Sequence, residues 1–444
     1  MSIPSIQNSI PADRAQSRLT HSPPIGVPGQ AGEQTHPPTT PDGVDFSSEL
    51  SREPEENISP SPILNSLPAS YEEGTESQHT GTADKSDSSF LAEEKDPNAQ
   101  VAIFDNFAPK RDGSPTHGEL TESVVQEVGG YGEEDTQRYE VGEGFPADDF
   151  LSAVEKGDPN ALTNVVESMA TTLLDDTTGA IEEILQDENS QINTINQSQS
   201  VSPASVSEQL LARTFPPTQN PERPMSEEQM AKAEASAADY RSTLAKSLQL
   251  EPDVSDDDLA RALVTQVSDI FESSDKIKES EERYNGASQQ ASDNGISHVL
   301  SSGNRGTLRD YLDELGVQPD EGFYESSLVT DNTTVVGATD DKGTETLADD
   351  TRFEGNAPDA GAEIAAPGTN REMTTLDGRT ATRSGTSYAA PEVAAVMANI
   401  KALHPELSPQ EIEDLLVETA AEVDAPANEV GAGVVRVDEA MAAA

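Results

Sequence analysis

The chain has 444 residues, with 83 Asp and Glu against 27 Lys and Arg, so its formal net charge is -56. A negative field of this size repels phosphate backbones and anionic lipid surfaces, which argues against nucleic acid and membranes as partners. Cysteine is absent, which excludes disulfides, thiol nucleophiles and cysteine-bound metals. The length allows a core domain of roughly 250–300 residues together with additional segments.

The first residues contain no basic stretch followed by an apolar run, and no window reaches the roughly 18 apolar residues of a membrane span. We therefore expect a soluble protein, acting as a monomer. Two locations stay open. A Ser- and Pro-rich start suits an effector exported without a general-secretory signal peptide, whereas acidic residues spread along the whole chain suit the cytoplasm of a salt-adapted cell.

Residues 1–97 are rich in Ser, Pro, Thr, Gly, Glu and Gln and poor in apolar side chains. Such a composition cannot bury enough apolar surface to offset the entropy lost on ordering the chain. This N-terminal region is therefore predicted to be disordered, and an ordered domain is expected over residues 98–444.

The ordered domain is predicted to begin with a strand at residues 100–105, a short apolar run that ends on Asp105. The apolar residues that follow His117 recur at helical spacing, so His117 is expected at the start of a helix. A helix over residues 147–188 and a strand over 192–198 come next.

Residues 204–290 contain much Ala, Glu, Ser, Gln and Lys and few β-branched residues. Ser226 with Gln229 has the spacing of a capping box, and Ser255 with Asp258 is a looser version of it. We predict two or three helices here, as an insertion on the surface of the domain.

Three more short strands are predicted within residues 296–304, 333–339 and 362–368. A helix is expected to begin at or just after Ser387, and another is expected to be capped by Ser408. Because strands alternate with helices, the chain is predicted to be an α/β protein with a parallel sheet.

Ser387 lies in a Gly-Thr-Ser turn before an apolar run, a position that presents a hydroxyl at the positive end of a helix. A serine nucleophile needs a histidine base, and that base needs an acid to fix its tautomer. Among the six histidines, His117 alone occupies a polar junction between a loop and a helix. The others are predicted in the disordered region, in an apolar strand and in a loop: His21, His36, His79, His298 and His404.

Residues 384–394 (SGTSYAAPEVA) resemble the nucleophile motif of the subtilisin-like serine peptidases, Gly-Thr-Ser-x-Ala-x-Pro-x-Val-Ala. Residues 101–105 resemble the aspartate motif of that family, and residues 116–125 resemble its histidine motif. Residues 302–306 are similar to the turn that carries the oxyanion-hole asparagine, and residues 195–198 to the strand that binds the substrate backbone. The order Asp, His, Ser along the chain is that of subtilisin.

The resemblance implies a subtilisin-like three-layer fold with a central parallel sheet, interrupted by the helical insertion. It implies a serine endopeptidase that acts on polypeptides without a cofactor, through Asp105, His117 and Ser387 with Asn304 as oxyanion donor. The residues that it implies for contact with substrate are Ser198, Gln199, Ser200, Ser302 and Gly303. Calcium is common in the family, but no acidic cluster stands out that would locate a calcium site.

The sequence also departs from the family pattern. Asn106 and Phe107 follow the aspartate where the family has Thr or Ser and then Gly, and Asp105 and His117 are only 12 residues apart. Ser200 stands where the family has glycine, so it adds a side chain to the wall of the pocket for the substrate's P1 residue. The alternative function is a catalytically silent protein that uses the fold and the helical insertion to hold a partner.

Overall fold

The computed structural model describes residues 100–110, 113–142, 147–215, 225–343 and 350–444. The predicted disordered region, residues 1–97, lies outside the described residues. In the part of the chain that is described, no helix combines the length and the apolar character needed to cross a bilayer.

The central element is a seven-stranded sheet. Its strands are β1 (Gln100–Asp105), β2 (Thr136–Glu140), β3 (Ile192–Gln197), β4 (Ser297–Ser301), β5 (Thr333–Asp340), β6 (Thr351–Arg352) and β7 (Ile364–Pro367). The order is β2-β1-β3-β4-β5, and β6 and β7 both pair with β5. Every pairing is parallel except that of β5 with β6. A separate hairpin consists of β8 (Arg371–Thr374) and β9 (Thr380–Arg383).

Helices cover both faces of the sheet. They are α1 (His117–Gly129), α2 (Ala147–Glu155), α3 (Ala161–Gln186), α4 (Pro203–Ala212), α5 (Glu227–Ser247), α6 (Asp256–Ser273), α7 (Asp275–Asp293), α8 (Gly306–Glu314), α9 (Ala390–Leu403), α10 (Pro409–Thr419), α11 (Ala427–Val430) and α12 (Val437–Ala443). Short 3₁₀ turns lie at Glu133–Asp135 and Thr386–Tyr388.

Two hydrophobic cores, one on each face of the sheet, produce the three layers. Side chains alternate between the faces of a strand, and β1 divides its apolar residues accordingly. Val101 and Ile103 join the core that contains α1 and α9. Ala102 and Phe104 join the core that contains α3, α4, α6 and α7. The α/β architecture with a parallel sheet is therefore as the sequence predicted.

The boundaries differ from the sequence prediction in two places. The single helix predicted over residues 147–188 is two helices, α2 and α3, because Gly157 has a φ of 77° and Pro159 follows two residues later. Strand β2 was not predicted at all. Its only buried residue is Tyr139, so the segment lacks the apolar run that reveals a strand in a sequence.

The segment predicted as an insertion of two or three helices contains four in its described part, α4 to α7, and these helices bury part of their surface against the rest of the domain. The hydroxyl of Tyr284, in α7, donates to the Leu328 carbonyl at 2.7 Å, and the residue is fully buried. Helix α6 also contributes a buried stripe of residues spaced three or four apart: Leu259, Leu263, Val267 and Ile270. This buried stripe was not predicted, because the segment as a whole has few apolar residues.

The parallel arrangement determines where the polar groups meet. Strands β1, β3 and β4 are neighbours, so the residues at and just beyond their carboxyl ends lie along one edge of the sheet. Asp105, Ser198 and Asn304 are among those residues. In open α/β sheets this edge is where ligands bind.

Candidate active site

His117 is positioned by the start of α1. The Thr116 hydroxyl accepts a hydrogen bond from the Glu119 N–H at 3.1 Å, and the Glu119 carboxylate accepts one from the Thr116 N–H at 2.8 Å. This capping box makes His117 the first residue of the helix. A Cβ atom on Gly118 would lie 2.6 Å from the Phe107 ring, so the close approach of that ring requires glycine.

Replacing Thr116 by alanine is expected to lower the free energy of unfolding by about 1 kcal/mol, because the Glu119 N–H loses its capping acceptor at a buried site. Thr116→Ser keeps the hydroxyl and should cost much less. Chemical denaturation of both variants measures the difference. Equal destabilisation by alanine and serine would show that the capping bond is not the source of the effect.

Asp105 is the last residue of β1, and its side chain is fully buried. Both carboxylate oxygens lie 2.8 Å from His117 Nδ1. The Asn106 N–H and the Thr121 hydroxyl also donate to the carboxylate, at 2.7 Å and 3.2 Å. Thr121 was missed in the sequence, although it follows His117 by four residues on α1 and so lies on the same helix face.

The imidazole of His117 is oriented by Asp105 and partly open to solvent. Burial alone would lower the pKa of His117, but the charge of Asp105 and its hydrogen bond to Nδ1 outweigh burial and raise the pKa above its ordinary value. Within the described ranges, Nε2 makes no hydrogen bond. The ring lies 5.8 Å from the Tyr388 ring, centroid to centroid, which brings it next to the turn that carries Ser387.

Ser387 lies in the 3₁₀ turn directly before the buried helix α9, as the sequence predicted for the helix start. Its hydroxyl donates to the Ser198 carbonyl at 3.2 Å, and the Ser198 hydroxyl donates to the Ser387 carbonyl at 3.0 Å. No hydrogen bond joins Ser387 to His117 among the residues that the structure describes. The hydroxyl of Ser387 is thus hydrogen-bonded to the backbone of Ser198, directly after β3, and not to the histidine.

Asn304 lies beyond the end of β4, and its side chain is held by hydrogen bonds from Thr386, the residue before Ser387. Its Oδ1 atom accepts from the Thr386 N–H at 2.9 Å and from the Thr386 hydroxyl at 3.2 Å. These donors fix which side of the amide carries oxygen. A Cβ atom on Gly385 would lie 3.0 Å from Asn304 Nδ2, and Gly385 has a φ of 152°, so this position requires glycine.

Two N–H donors at this place have no acceptor in the described part of the chain. They are the side-chain Nδ2 of Asn304 and the backbone N–H of Ser387. Paired donors of this kind can stabilise an oxygen that gains negative charge. Thr386, which holds the amide in place, was not singled out in the sequence except as part of the Gly-Thr-Ser turn.

The residues predicted to contact substrate are only partly brought together. Ser198 and Gly303 both hydrogen-bond to the turn at 386–387, the latter through its N–H to the Thr386 hydroxyl at 3.1 Å. Ser200 lies opposite Gly303. Ser302 and Gln199 make their contacts elsewhere. The Ser302 N–H donates to β5, and the Gln199 amide extends toward Gly142.

The remaining histidines of the described ranges lie elsewhere. His298 in β4 is buried, its Nε2 lies 3.0 Å from Gln197 Oε1, and burial lowers its pKa to about 3. Its Nδ1 atom has no partner among the described residues, so the histidine is a core residue that is only half satisfied. His404 directly follows the last residue of α9, outside the helix, as expected. No three His, Asp or Glu side chains of the described ranges gather in a way that could hold a metal ion.

The fold and the polar groups define the class of the molecule: an α/β protein with an Asp-His pair and a serine at the carboxyl edge of a parallel sheet. Residues 247–433 match the model of the subtilase family of peptidases, a stretch that contains Asn304 and Ser387 but begins after Asp105 and His117. Over that stretch, which is less than half of the chain, the sequence is similar to the subtilase family.

Solved structures that resemble the chain include a lanthipeptide protease, with 15% identity, a TM-score of 0.41 and coverage of 80% of this chain and 90% of that one. The prenylagaramide maturation protease PagA has the same identity and TM-score, with coverage of 80% and 97%. The epidermin leader peptide processing protease EpiP from Staphylococcus aureus has 16% identity, a TM-score of 0.39 and coverage of 79% and 77%. No curated protein matches the sequence.

Proposed function

We propose that the protein is a serine endopeptidase in which Ser387 is the nucleophile, His117 the general base and Asp105 the residue that orients the base. The observation that carries the proposal is the buried carboxylate of Asp105 at 2.8 Å from His117 Nδ1. A carboxylate in this position holds the proton on Nδ1 and leaves Nε2 as the basic atom.

The reaction begins when the Ser387 hydroxyl leaves the Ser198 carbonyl and turns to His117. Ser387 Oγ attacks the scissile carbonyl while His117 Nε2 takes its proton, and Asp105 stabilises the resulting imidazolium. The oxyanion accepts hydrogen bonds from Asn304 Nδ2 and the Ser387 N–H. His117 then protonates the leaving amine, and a water molecule, activated by the same histidine, hydrolyses the acyl-enzyme.

The substrate is a polypeptide in an extended conformation. The segments that follow β3 and β4 each leave the sheet at the edge that carries Ser387, and an extended peptide would add to them as a further strand. Such main-chain pairing binds a peptide irrespective of much of its sequence. Selectivity then depends on the few side chains that lie between the two segments.

Labelling with a serine-directed fluorophosphonate tests the proposal. The folded wild-type protein should form one covalent adduct, and tandem mass spectrometry should locate it on Ser387. His117→Ala is the matched control, because it leaves the hydroxyl in place and removes the base, so its labelling rate should fall sharply. Absence of labelling in folded wild-type protein would contradict the proposal that the protein is a serine endopeptidase.

A second candidate function is a catalytically silent partner-binding protein. The observation in its favour is the hydrogen bond from Ser387 to the Ser198 carbonyl in place of one to His117. In free enzymes, however, catalytic hydrogen bonds are often long or unformed and tighten only when substrate binds. The labelling experiment separates the two functions, because a silent protein would not react faster than its His117→Ala variant.

Replacing Asn304 is expected to lower kcat by about 10²–10³-fold with little change in KM, because the amide contacts the oxyanion and not the ground-state substrate. Asn304→Asp is the sharpest variant, since its carboxylate can still accept from Thr386 but has no N–H to donate. Steady-state kinetics on a peptide substrate, with thermal unfolding as the check on the fold, measure the effect. A change confined to KM would contradict the role.

A further inference from the structure

The separation of His117 from Ser387 depends on the elements that carry the two residues. His117 begins α1, and Ser387 lies in the turn before α9. Among the described residues no hydrogen bond joins the two side chains, so none fixes the distance over which the proton moves. The hairpin of β8 and β9 contacts both elements, because β8 packs against α1 and β9 ends four residues before Ser387.

At one end of the hairpin, Arg379 is bound to the start of α1. Its guanidinium donates two hydrogen bonds to the Glu119 carboxylate, at 2.6 Å and 3.1 Å. Only 16% of the Glu119 side chain and 34% of that of Arg379 are exposed to solvent. A partly buried pair with two parallel hydrogen bonds is stronger and more directional than an exposed pair with one. It therefore fixes the orientation of the two side chains as well as their distance.

The same carboxylate holds the backbone beside His117. Oε2 of Glu119 accepts the Thr116 N–H at 2.8 Å in addition to one N–H of Arg379. His117 lies between Thr116 and Glu119 in the chain, so a shift of the carboxylate would move the start of α1 and the imidazole with it. Arg379 is held in turn, because its Nε lies 3.0 Å and 2.9 Å from the two carboxylate oxygens of Asp377.

At its other end the hairpin is bound to the turn that carries Ser387. One nitrogen of Arg371, the first residue of β8, donates to the Glu392 carboxylate at 2.6 Å and to the Tyr388 carbonyl at 3.3 Å. Glu392 lies in the first turn of α9, and Tyr388 directly follows Ser387. The two ion pairs thus connect the helix of the base to the turn of the nucleophile through one short hairpin.

We propose that Glu119 and Arg379 are positioning residues of the peptidase, and that their ion pair holds His117 at the distance from Ser387 that proton transfer requires. The proposal rests on the endopeptidase function proposed above. Both side chains act through the placement of His117. Without the pair, the start of α1 is free to move relative to the hairpin, and a displacement of about 1 Å near the chemistry can lower a rate by about 10²-fold.

Two substitutions break the pair from opposite sides. Glu119→Gln removes the charge and one of the two accepting oxygens, but the other can still accept the Thr116 N–H, because glutamine also completes a capping box. Arg379→Ala removes the partner and leaves the cap in place. Each variant should lower kcat on a fluorogenic peptide by about ten- to 10²-fold with little change in KM, and the rate of fluorophosphonate labelling should fall in parallel.

The double variant Glu119→Gln with Arg379→Ala should be no slower than the slower single variant, because the two side chains act through one contact. Arg283→Ala is the matched control. It breaks an ion pair with Asp175, at 2.7 Å between α7 and α3, in the core on the other face of the sheet. Its kcat should equal that of the wild type.

Titration to completion with the fluorophosphonate counts the active sites of each variant, so kcat is expressed per active site. A merely structural role would lower the number of active sites and leave the rate at each site unchanged. That result, or losses that add in the double variant, would overturn the proposal while the labelled and active wild type keeps the endopeptidase standing. Folded wild type that is neither labelled nor active would overturn both.

Discussion

The Ser387→Ala variant is expected to lose about 10⁶-fold in kcat, the largest effect of any single substitution, because no other hydroxyl can form the acyl-enzyme. The variant should fold normally, since Ser387 is buried and alanine fits the same space. Its loss should appear in kcat, with KM changed little. Single-turnover cleavage of a fluorogenic peptide, measured beside the thermal unfolding of both proteins, checks the prediction.

The double variant Ser387→Ala with His117→Ala is the informative control. When two side chains act as one catalytic unit, removing the second costs nothing further once the first is gone. The double variant should therefore be no slower than Ser387→Ala alone. Additive losses would show that the two side chains work independently. Residual activity above about one per cent in Ser387→Ala would assign the cleavage to another group.

The Asp105→Asn variant is expected to lower kcat by roughly 10⁴-fold. Asparagine has almost the same shape and can still accept from the Asn106 N–H, but its amide cannot hold a proton on His117 Nδ1. The imidazole then adopts the wrong tautomer, with Nε2 protonated and unable to act as a base. Kinetics at the pH optimum, with unfolding monitored in parallel, measure the loss.

The pH profile provides a second readout of the same substitution. Asp105 raises the pKa of His117, and activity requires the neutral imidazole, so the rate should rise as pH increases through that raised pKa. Without the Asp105 charge the pKa falls, and the acidic limb of the profile should move to lower pH. An unmoved limb, or a kcat within tenfold of the wild type, would contradict the assigned role.

Thr121→Val is the matched control for Asp105→Asn. It removes one donor to the carboxylate, the hydroxyl at 3.2 Å, and leaves the charge and the His117 contact in place. We expect a far smaller loss of kcat and an acidic limb close to that of the wild type. A loss as large as that of Asp105→Asn would mean that orientation of the carboxylate matters as much as its presence.

The elements whose sequence carries a periodic signal were predicted well. Strand β1 is an apolar run that ends on Asp105, and α1 begins at His117, where the helical spacing of apolar residues predicted a start. Strand β2, with one buried side chain, gave no such signal. Helices α6 and α7 were predicted as helices, but their burial was not, since a segment rich in polar residues can still bury a narrow stripe against a sheet.

The sequence by itself determined the class of fold, the acidic surface and the identity of the residues that could carry chemistry, because these depend on composition and on patterns within a few residues. Only the tertiary structure decided which of those residues meet. Ser198 and Ser387 exchange hydrogen bonds across 189 positions of the chain. The approach of the Ser200 hydroxyl to Gly303 depends in the same way on the course of the segments that follow β3 and β4. Such contacts arise from the docking of elements and leave no trace in local periodicity.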